Sequence, residues 1–265
     1  MIKNISIIGI GNLTTGILSA LDRIKHSYVI NLIDIDKSKK SIAKKYNLNF
    51  ASSYSNDISK SDLIFLMVKP KDYKSILNEI NKFDLKKTIL VSFMAGITHD
   101  QIKDNIKNDV AVIRCMTNIS ISNIKSYIFY FSKSLGRNNT KILQDFFSQF
   151  SKLKKCHIES DIDKLTALYG SGPAYYVYFN KIIYESFIQM GYSKKDSKKY
   201  SDNLLEGAAE LIKDSNDSDH IIDTISSKGG TTEAALLEFK KNKISQVLSK
   251  GIIQAYKKSK NILKK

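Results

Sequence analysis

The sequence predicts an α/β protein in two parts. A doubly wound parallel sheet occupies residues 1–157, and an all-α second domain occupies residues 158–265. Three observations predict it. Short apolar runs alternate with helical periodicity through the first half. A Gly-x-Gly turn follows the first run directly and opens a helical pattern. Beyond about Glu159 the strand alternation stops and only helix-length patterns remain.

The strands are expected at Ile5–Ile8, Val29–Ile33, Leu63–Val68, Ile89–Val91 and Val110–Ile113. Runs this short, apolar at almost every position, suit strands buried on both faces. Leu13–Ile24 and Asp72–Ile80 carry the period of helices that would cover them. Tyr127–Phe131 reads as a further strand and Lys141–Phe150 as a closing helix. In the second part, residues 173–190, 194–213, 231–241 and 244–263 read as helices. Gly191, Lys213–Asp219 and Ser227–Thr232 break them. The joining segment KKCHIESD is not rich in Gly or Ser, so packed rather than loosely tethered domains are expected.

Composition narrows the class of function. With 42% hydrophobic residues the chain is no disordered segment. Its net charge is +16, yet only Arg23, Arg114 and Arg137 are arginines. Arginine is the preferred bidentate reader of bases and phosphates, so a solvated lysine surface is the expectation, not a nucleic-acid groove. Cys115 and Cys156 form neither a CxxC pair nor a metal spacing, so no metal is expected. The N-terminal apolar run is too short for a membrane span or a secretion signal, and a cytoplasmic, non-membrane protein is expected.

The loop Gly9-Ile10-Gly11-Asn12-Leu13 lies between the first strand and the first helix. In that place Gly9 would make the tight turn and Gly11 would let a pyrophosphate approach the backbone. The helix from Asn12 would offer unpaired N–H groups to the anion. Thr14 occupies the third, normally small, position of this dinucleotide fingerprint, with Gly16 expected to relieve the crowding. An ordinary glycine turn is the alternative. Asp34 ends the second strand where an acid would accept from a ribose 2′-hydroxyl and repel a 2′-phosphate. That favours NADH. Against it, Lys37, Lys39 and Lys40 could neutralise a 2′-phosphate, and Asp34 could instead cap a helix. Ligands of such sheets bind beyond the carboxyl ends of the strands, so Met67, Val68, Lys69 and Pro70 fall at the cofactor edge. So do Ala95 and Gly96, and Asn118 within Arg114–Asn118.

Together these motifs resemble the pyrroline-5-carboxylate reductase family nearly from end to end. GIGN at Gly9–Asn12, LMVKP at Leu66–Pro70, SFMAGI at Ser92–Ile97 and RCMTN at Arg114–Asn118 are similar to its signatures. The most specific stretches are DKLTALYGSGPAYY at Asp163–Tyr176 and SSKGGTTEAAL at Ser226–Leu236. The resemblance implies a Rossmann-type cofactor domain with a C-terminal dimerisation domain. The implied reaction is hydride transfer from NADH or NADPH to the imine carbon of pyrroline-5-carboxylate, giving proline. It places Asn56 near the adenosine. It puts Ser171, Gly172 and Pro173 under the substrate ring, Gly230, Thr231 and Thr232 at its carboxylate, and Thr166 at its nitrogen. A homodimer or larger homo-oligomer is implied as well.

Read locally, Ser171 and Pro173 are helix-start chemistry, Thr166 is a helix back-bond to a carbonyl, and Gly229–Thr232 is a helix cap. The chain departs from the family pattern at Thr14, Thr117, Tyr169, Lys181, Leu204 and Lys228. Two rivals follow. One is another Rossmann imine reductase or a β-hydroxyacid oxidoreductase, for which Lys181 would be the acid/base. The other is a non-catalytic cofactor-binding descendant.

Overall fold

The computed structural model describes residues 2–85, 88–215 and 217–263. The chain builds β1 (Asn4–Ile8), α1 (Asn12–Arg23), β2 (Val29–Ile33), α2 (Lys40–Lys45), β3 (Asn49–Ala51), β4 (Leu63–Leu66) and α3 (Tyr73–Ile80). Then come β5 (Ile89–Ser92), α4 (His99–Lys103), β6 (Ala111–Met116), β7 (Tyr127–Phe131), α5 (Arg137–Phe147) and β8 (Lys152–Lys155). The rest is helical: α6 (Ser160–Leu165), a π-helical turn at Thr166–Gly170, α7 (Gly172–Gln189), α8 (Lys194–Asp214), α9 (Ser218–Ile225), α10 (Thr231–Lys241) and α11 (Ile244–Lys260).

The strands form one sheet in the order β3-β2-β1-β4-β5-β6-β7-β8. The first six are parallel. The expectation of a parallel sheet needs one correction: β7 runs antiparallel to β6, and β8 pairs parallel to β7. The link from β6 to β7 contains only short turns, too little for the helical crossover a parallel step requires.

Alternate residues of each strand feed opposite faces. Ile5, Ile7, Leu63, Phe65 and Val91 join α1 and a cluster of Phe146, Phe147 and Phe150 on one side. Ile8, Ile64, Leu66 and Leu90 join Leu77 and Ile80 of α3 on the other. Both faces being covered is why these strands read as unbroken apolar runs.

The described part of the chain divides into two compact units. One holds the residues up to Ser171 together with those from Ala255 onward; the other is Gly172–Gln254. The last strand ends at Lys155, close to the boundary drawn from sequence at 157/158. The compact units divide later, because α6 and the π turn pack on the sheet and the end of α11 returns to it: Ser259 Oγ donates to the Asp163 carbonyl at 2.9 Å. Among the described residues no helix is long and apolar enough to cross a membrane.

Candidate active site

The strand order reverses between β1 and β4, and a doubly wound sheet opens its ligand crevice at such a point. The turn after β1 is built for it. Gly9 has φ +95°, and a Cβ there would lie 2.7 Å from the Met67 carbonyl oxygen and 2.8 Å from Val68 Cγ1. The loop therefore rests directly on the residues that follow β4, which only glycine permits. Nothing lies within 4 Å of the space a Cβ on Gly11 would take. Gly11 is the N-cap of α1, with no side-chain cap and no acidic residue in the first turn behind it. A bare helix N-terminus beside open backbone fits a pyrophosphate.

Thr14 is well accommodated. It is buried, and its hydroxyl donates to the Gly9 carbonyl at 2.7 Å, closing the turn from within. Gly16 does not relieve crowding at Thr14, as the sequence suggested. A Cβ on it would stand 3.3 Å from Ile121 Cγ2, so it lets the 119–123 turn approach α1.

Asp34 follows β2 beside the loop. Its Oδ2 accepts from Ile10 N–H at 2.7 Å and its Oδ1 from Asp36 N–H at 2.9 Å. The helix-cap alternative falls to its neighbour: Asp36 caps the 37–39 turn by accepting from Ser38 N–H. Asn56 opens an exposed turn beyond β3, and Lys69 is exposed ahead of Pro70, the first residue of the turn leading to α3. Ala95 and Gly96 follow β5, but Gly96 is covered from within the same unit. A Cβ there would lie 2.4 Å from Ile262 Cγ2 and 2.5 Å from the Ser259 carbonyl oxygen.

The signature stretch at Thr166–Gly170 is one wide turn of π-helix between α6 and α7, an irregularity that recurs at functional sites. Its bond runs from Ser171 N–H to the Thr166 carbonyl at 3.1 Å. The chain is thus already helical at Ser171, whose hydroxyl donates back to the same carbonyl at 3.2 Å instead of capping α7. Pro173 follows in α7 and has no N–H to donate to the turn behind it; the Tyr169 carbonyl, four residues back, accepts from Asn118 Nδ2 instead. Thr166 Oγ1 donates to the Ile162 carbonyl at 2.8 Å, the back-bond of the local reading. That leaves its oxygen lone pairs as acceptors.

Two sets of contacts hold this turn against the carboxyl end of β6. Asn118 Nδ2 donates to the Tyr169 carbonyl at 3.0 Å while its Oδ1 accepts from Ser120 N–H. The carboxamide expected to meet the cofactor is therefore taken up by protein partners. Tyr169, the bulky departure, turns toward β7: its hydroxyl accepts from Tyr127 N–H at 2.6 Å and its ring meets Phe129 edge-on. Thr117, the other departure here, donates to the Tyr127 carbonyl at 2.8 Å. The second set went unassigned from sequence. Arg114 is fully buried on β6 and bridges Glu159 at 2.7 Å and Asp163 at 3.0 Å, tying α6 to the sheet. The signal was present: one of only three arginines interrupts the apolar run AVIRCM.

In the second unit, α10 begins at Thr231 with Gly230 as N-cap and no side-chain cap. Glu233 folds back to accept from Gly229 N–H at 2.6 Å. Thr231 is exposed and Thr232 half-buried in this uncapped first turn. Lys181 lies exposed on α7 at 3.5 Å from Glu185, an ordinary surface pair rather than a buried acid/base. Leu204 and Lys228 are exposed.

Comparison with known proteins agrees with this arrangement. A family model described as pyrroline-5-carboxylate reductase dimerisation matches residues 159–262. One described as NADP oxidoreductase, coenzyme F420-dependent, matches residues 4–96. Pyrroline-5-carboxylate reductase 1 of Bacillus spizizenii is 26% identical over 98% of this chain and 89% of its own length. The crystal structure of the Streptococcus pyogenes 1-pyrroline-5-carboxylate reductase superposes with a TM-score of 0.87 at 26% identity, covering 97% of this chain and 98% of that one. The Plasmodium falciparum pyrroline carboxylate reductase with NADP bound shares the fold, with a TM-score of 0.87 at 23% identity over 98% of this chain and 97% of that one. Over nearly its whole length the chain is similar to pyrroline-5-carboxylate reductases, and its residues 159–262 match the dimerisation model of that family.

Proposed function

We propose that this protein reduces L-Δ1-pyrroline-5-carboxylate to L-proline with NADH or NADPH, the last step of proline biosynthesis. The observation that carries the reading is local. One compact unit presents a dinucleotide loop at Gly9–Asn12 and, at the carboxyl edge of the same sheet, the signature turn Thr166–Gly170 pinned to Asn118. The Bacillus and Streptococcus relatives are named for this reaction.

Bound NAD(P)H supplies the hydride. The chain supplies position and charge. The bare N-terminus of α1 and the Gly11 backbone hold the pyrophosphate, with Asp34 at the adenosine ribose and Asn56 beyond it. Met67–Pro70 and Ala95 border the cofactor, while Gly96, under Ile262, is left out of that border. Thr166 has committed its proton to Ile162 and acts as an acceptor, orienting the N–H of a protonated imine. An imine that arrives protonated needs no further acid for its carbon to accept hydride. Ser171, Gly172 and Pro173 are assigned to the ring, and the uncapped turn of Gly230, Thr231 and Thr232 carries the unpaired N–H groups that suit a carboxylate.

We assign residues 1–157 to cofactor binding and residues 158–265 to substrate binding and pairing of two chains. Along α7 the sole buried residue among those described is Gly172, while Tyr176, Val177, Tyr178 and Phe179 are half to two-thirds exposed. Four consecutive large apolar side chains left this exposed belong inside an interface. The test is direct. Purified, folded protein should oxidise NADH or NADPH only when pyrroline-5-carboxylate is added, with proline as product. Turnover with neither cofactor would remove the enzyme reading and leave a cofactor-binding protein.

A further inference from the structure

We infer that this chain selects NADH over NADPH, with the Asp34 carboxylate as the residue that discriminates; the inference rests on the cofactor class proposed above. Backbone bonds fix where Asp34 stands. Gly9 N–H donates to the Ile33 carbonyl at 2.9 Å, and Asp34 N–H donates to the Ala51 carbonyl at 3.1 Å. The end of β2 is thereby locked between the glycine loop and the end of β3. The side chain is locked too. Each carboxylate oxygen accepts one backbone N–H, Oδ2 from Ile10 and Oδ1 from Asp36, at 2.7 and 2.9 Å.

Three consequences follow for a ligand on the loop. Each oxygen keeps a free lone pair, and a ribose diol offers two hydroxyl donors to match. A 2′-phosphate offers none and places a dianion against a fixed carboxylate. Nor can Asp34 swing away without cost, because that would strip Ile10 N–H, in the loop itself, of its acceptor.

The surroundings supply no counterweight held in place. The residue after Asp34 is Ile35, 85% exposed and without a donor on its side chain. None of the three arginines lies in this turn: Arg114 is buried against Glu159 and Asp163, Arg23 reaches Asn123, and Arg137 opens α5. Among the described residues none of Lys37, Lys39 and Lys40 makes an ion pair with Asp34. The next carboxylate along, Asp36, adds a second negative charge, engaged by Ser38 N–H at 3.0 Å.

The experiment measures binding, so it does not depend on turnover. NADH and NADPH are titrated separately into wild type, Asp34→Asn and Asp34→Ser, following cofactor fluorescence, with 5′-AMP and 2′,5′-ADP as competitors. Wild type should bind NADH at least about tenfold more tightly than NADPH, the scale of one close charge–charge repulsion at a protein surface. 5′-AMP should likewise compete better than 2′,5′-ADP. Asp34→Asn removes the charge and keeps an acceptor for Ile10 N–H, giving up the acceptor for Asp36 N–H. It should bring the two cofactors within about threefold, and Asp34→Ser should do the same or reverse the order. Equal or tighter NADPH binding by wild type overturns the inference. So do variants that lose affinity for both cofactors by the same factor, since Asp34 would then serve the loop alone. Reduction of pyrroline-5-carboxylate without any cofactor preference would overturn this inference and leave the proposed reaction standing. Selective NADH binding without reduction would do the reverse.

Discussion

The two compact units are opposites in how they use apolar residues. The first closes its own core: both faces of the sheet are lined by residues with almost no exposure, such as Ile5, Leu63, Phe65, Leu77 and Phe147. The second, Gly172–Gln254, buries only Gly172, Ser197 and Ser201 among its described residues, yet exposes Tyr176, Val177, Leu204, Leu237, Val247 and Leu248. A unit that buries three small residues has not removed enough apolar surface from water to offset the entropy of ordering it. The contrast teaches that the first unit is complete as one chain and the second is half of something. The proposed pairing of two chains supplies the missing half.

The largest effect should come from charging that unpaired surface. Val177→Glu on α7 is expected to turn the assembled protein into monomer. It should raise the dissociation constant by roughly 100-fold or more, from about 3 kcal/mol of lost burial and added desolvation. Sedimentation across a dilution series reads this out, together with early loss of helical ellipticity. An assembly that persists unchanged would mean α7 is not the covered face.

The next effect tests the first unit's completeness. Arg114 is buried between two carboxylates, and its Nε finds no partner among the described residues. Arg114→Ala leaves Glu159 and Asp163 without their cation and should cost about 3–5 kcal/mol in denaturant unfolding. A cost below about 1 kcal/mol would show that α6 is held to the sheet by packing alone. The smallest effect is Tyr169→Phe. It removes the acceptor of Tyr127 N–H and keeps the ring against Phe129, so about 1 kcal/mol is expected in the same measurement. No loss of stability would mean that water replaces the hydroxyl at Tyr127.

Legibility from sequence divided along the same line as burial. The central strands were visible because both of their faces are covered, which forces continuous apolar runs at Ile5–Ile8, Leu63–Leu66 and Ile89–Val91. The edge strands were not. β3 is three residues long, and β8 reads KLKK, with lysines on the exposed rim of the sheet. Charged edge strands resist pairing with other chains and carry no apolar pattern to find. α9 was hidden in a polar stretch, and its cap, Asp217 accepting from Asp219 and His220 N–H, is the signal that marks its start.

By itself the sequence determined the succession of the central strands, the glycine loop and the two signature stretches, since each rests on local spacing and on residue types with few conformational alternatives. Only the tertiary structure decided what the side chains between them do. Asp34 grips the loop backbone, Asn118 is spent on Tyr169, Gly96 lies under Ile262, and Ser171 bonds backward into a π turn. The first three outcomes depend on partners 24, 51 and 166 residues distant in the chain, and contact geometry over such separations is set by packing, not by local sequence.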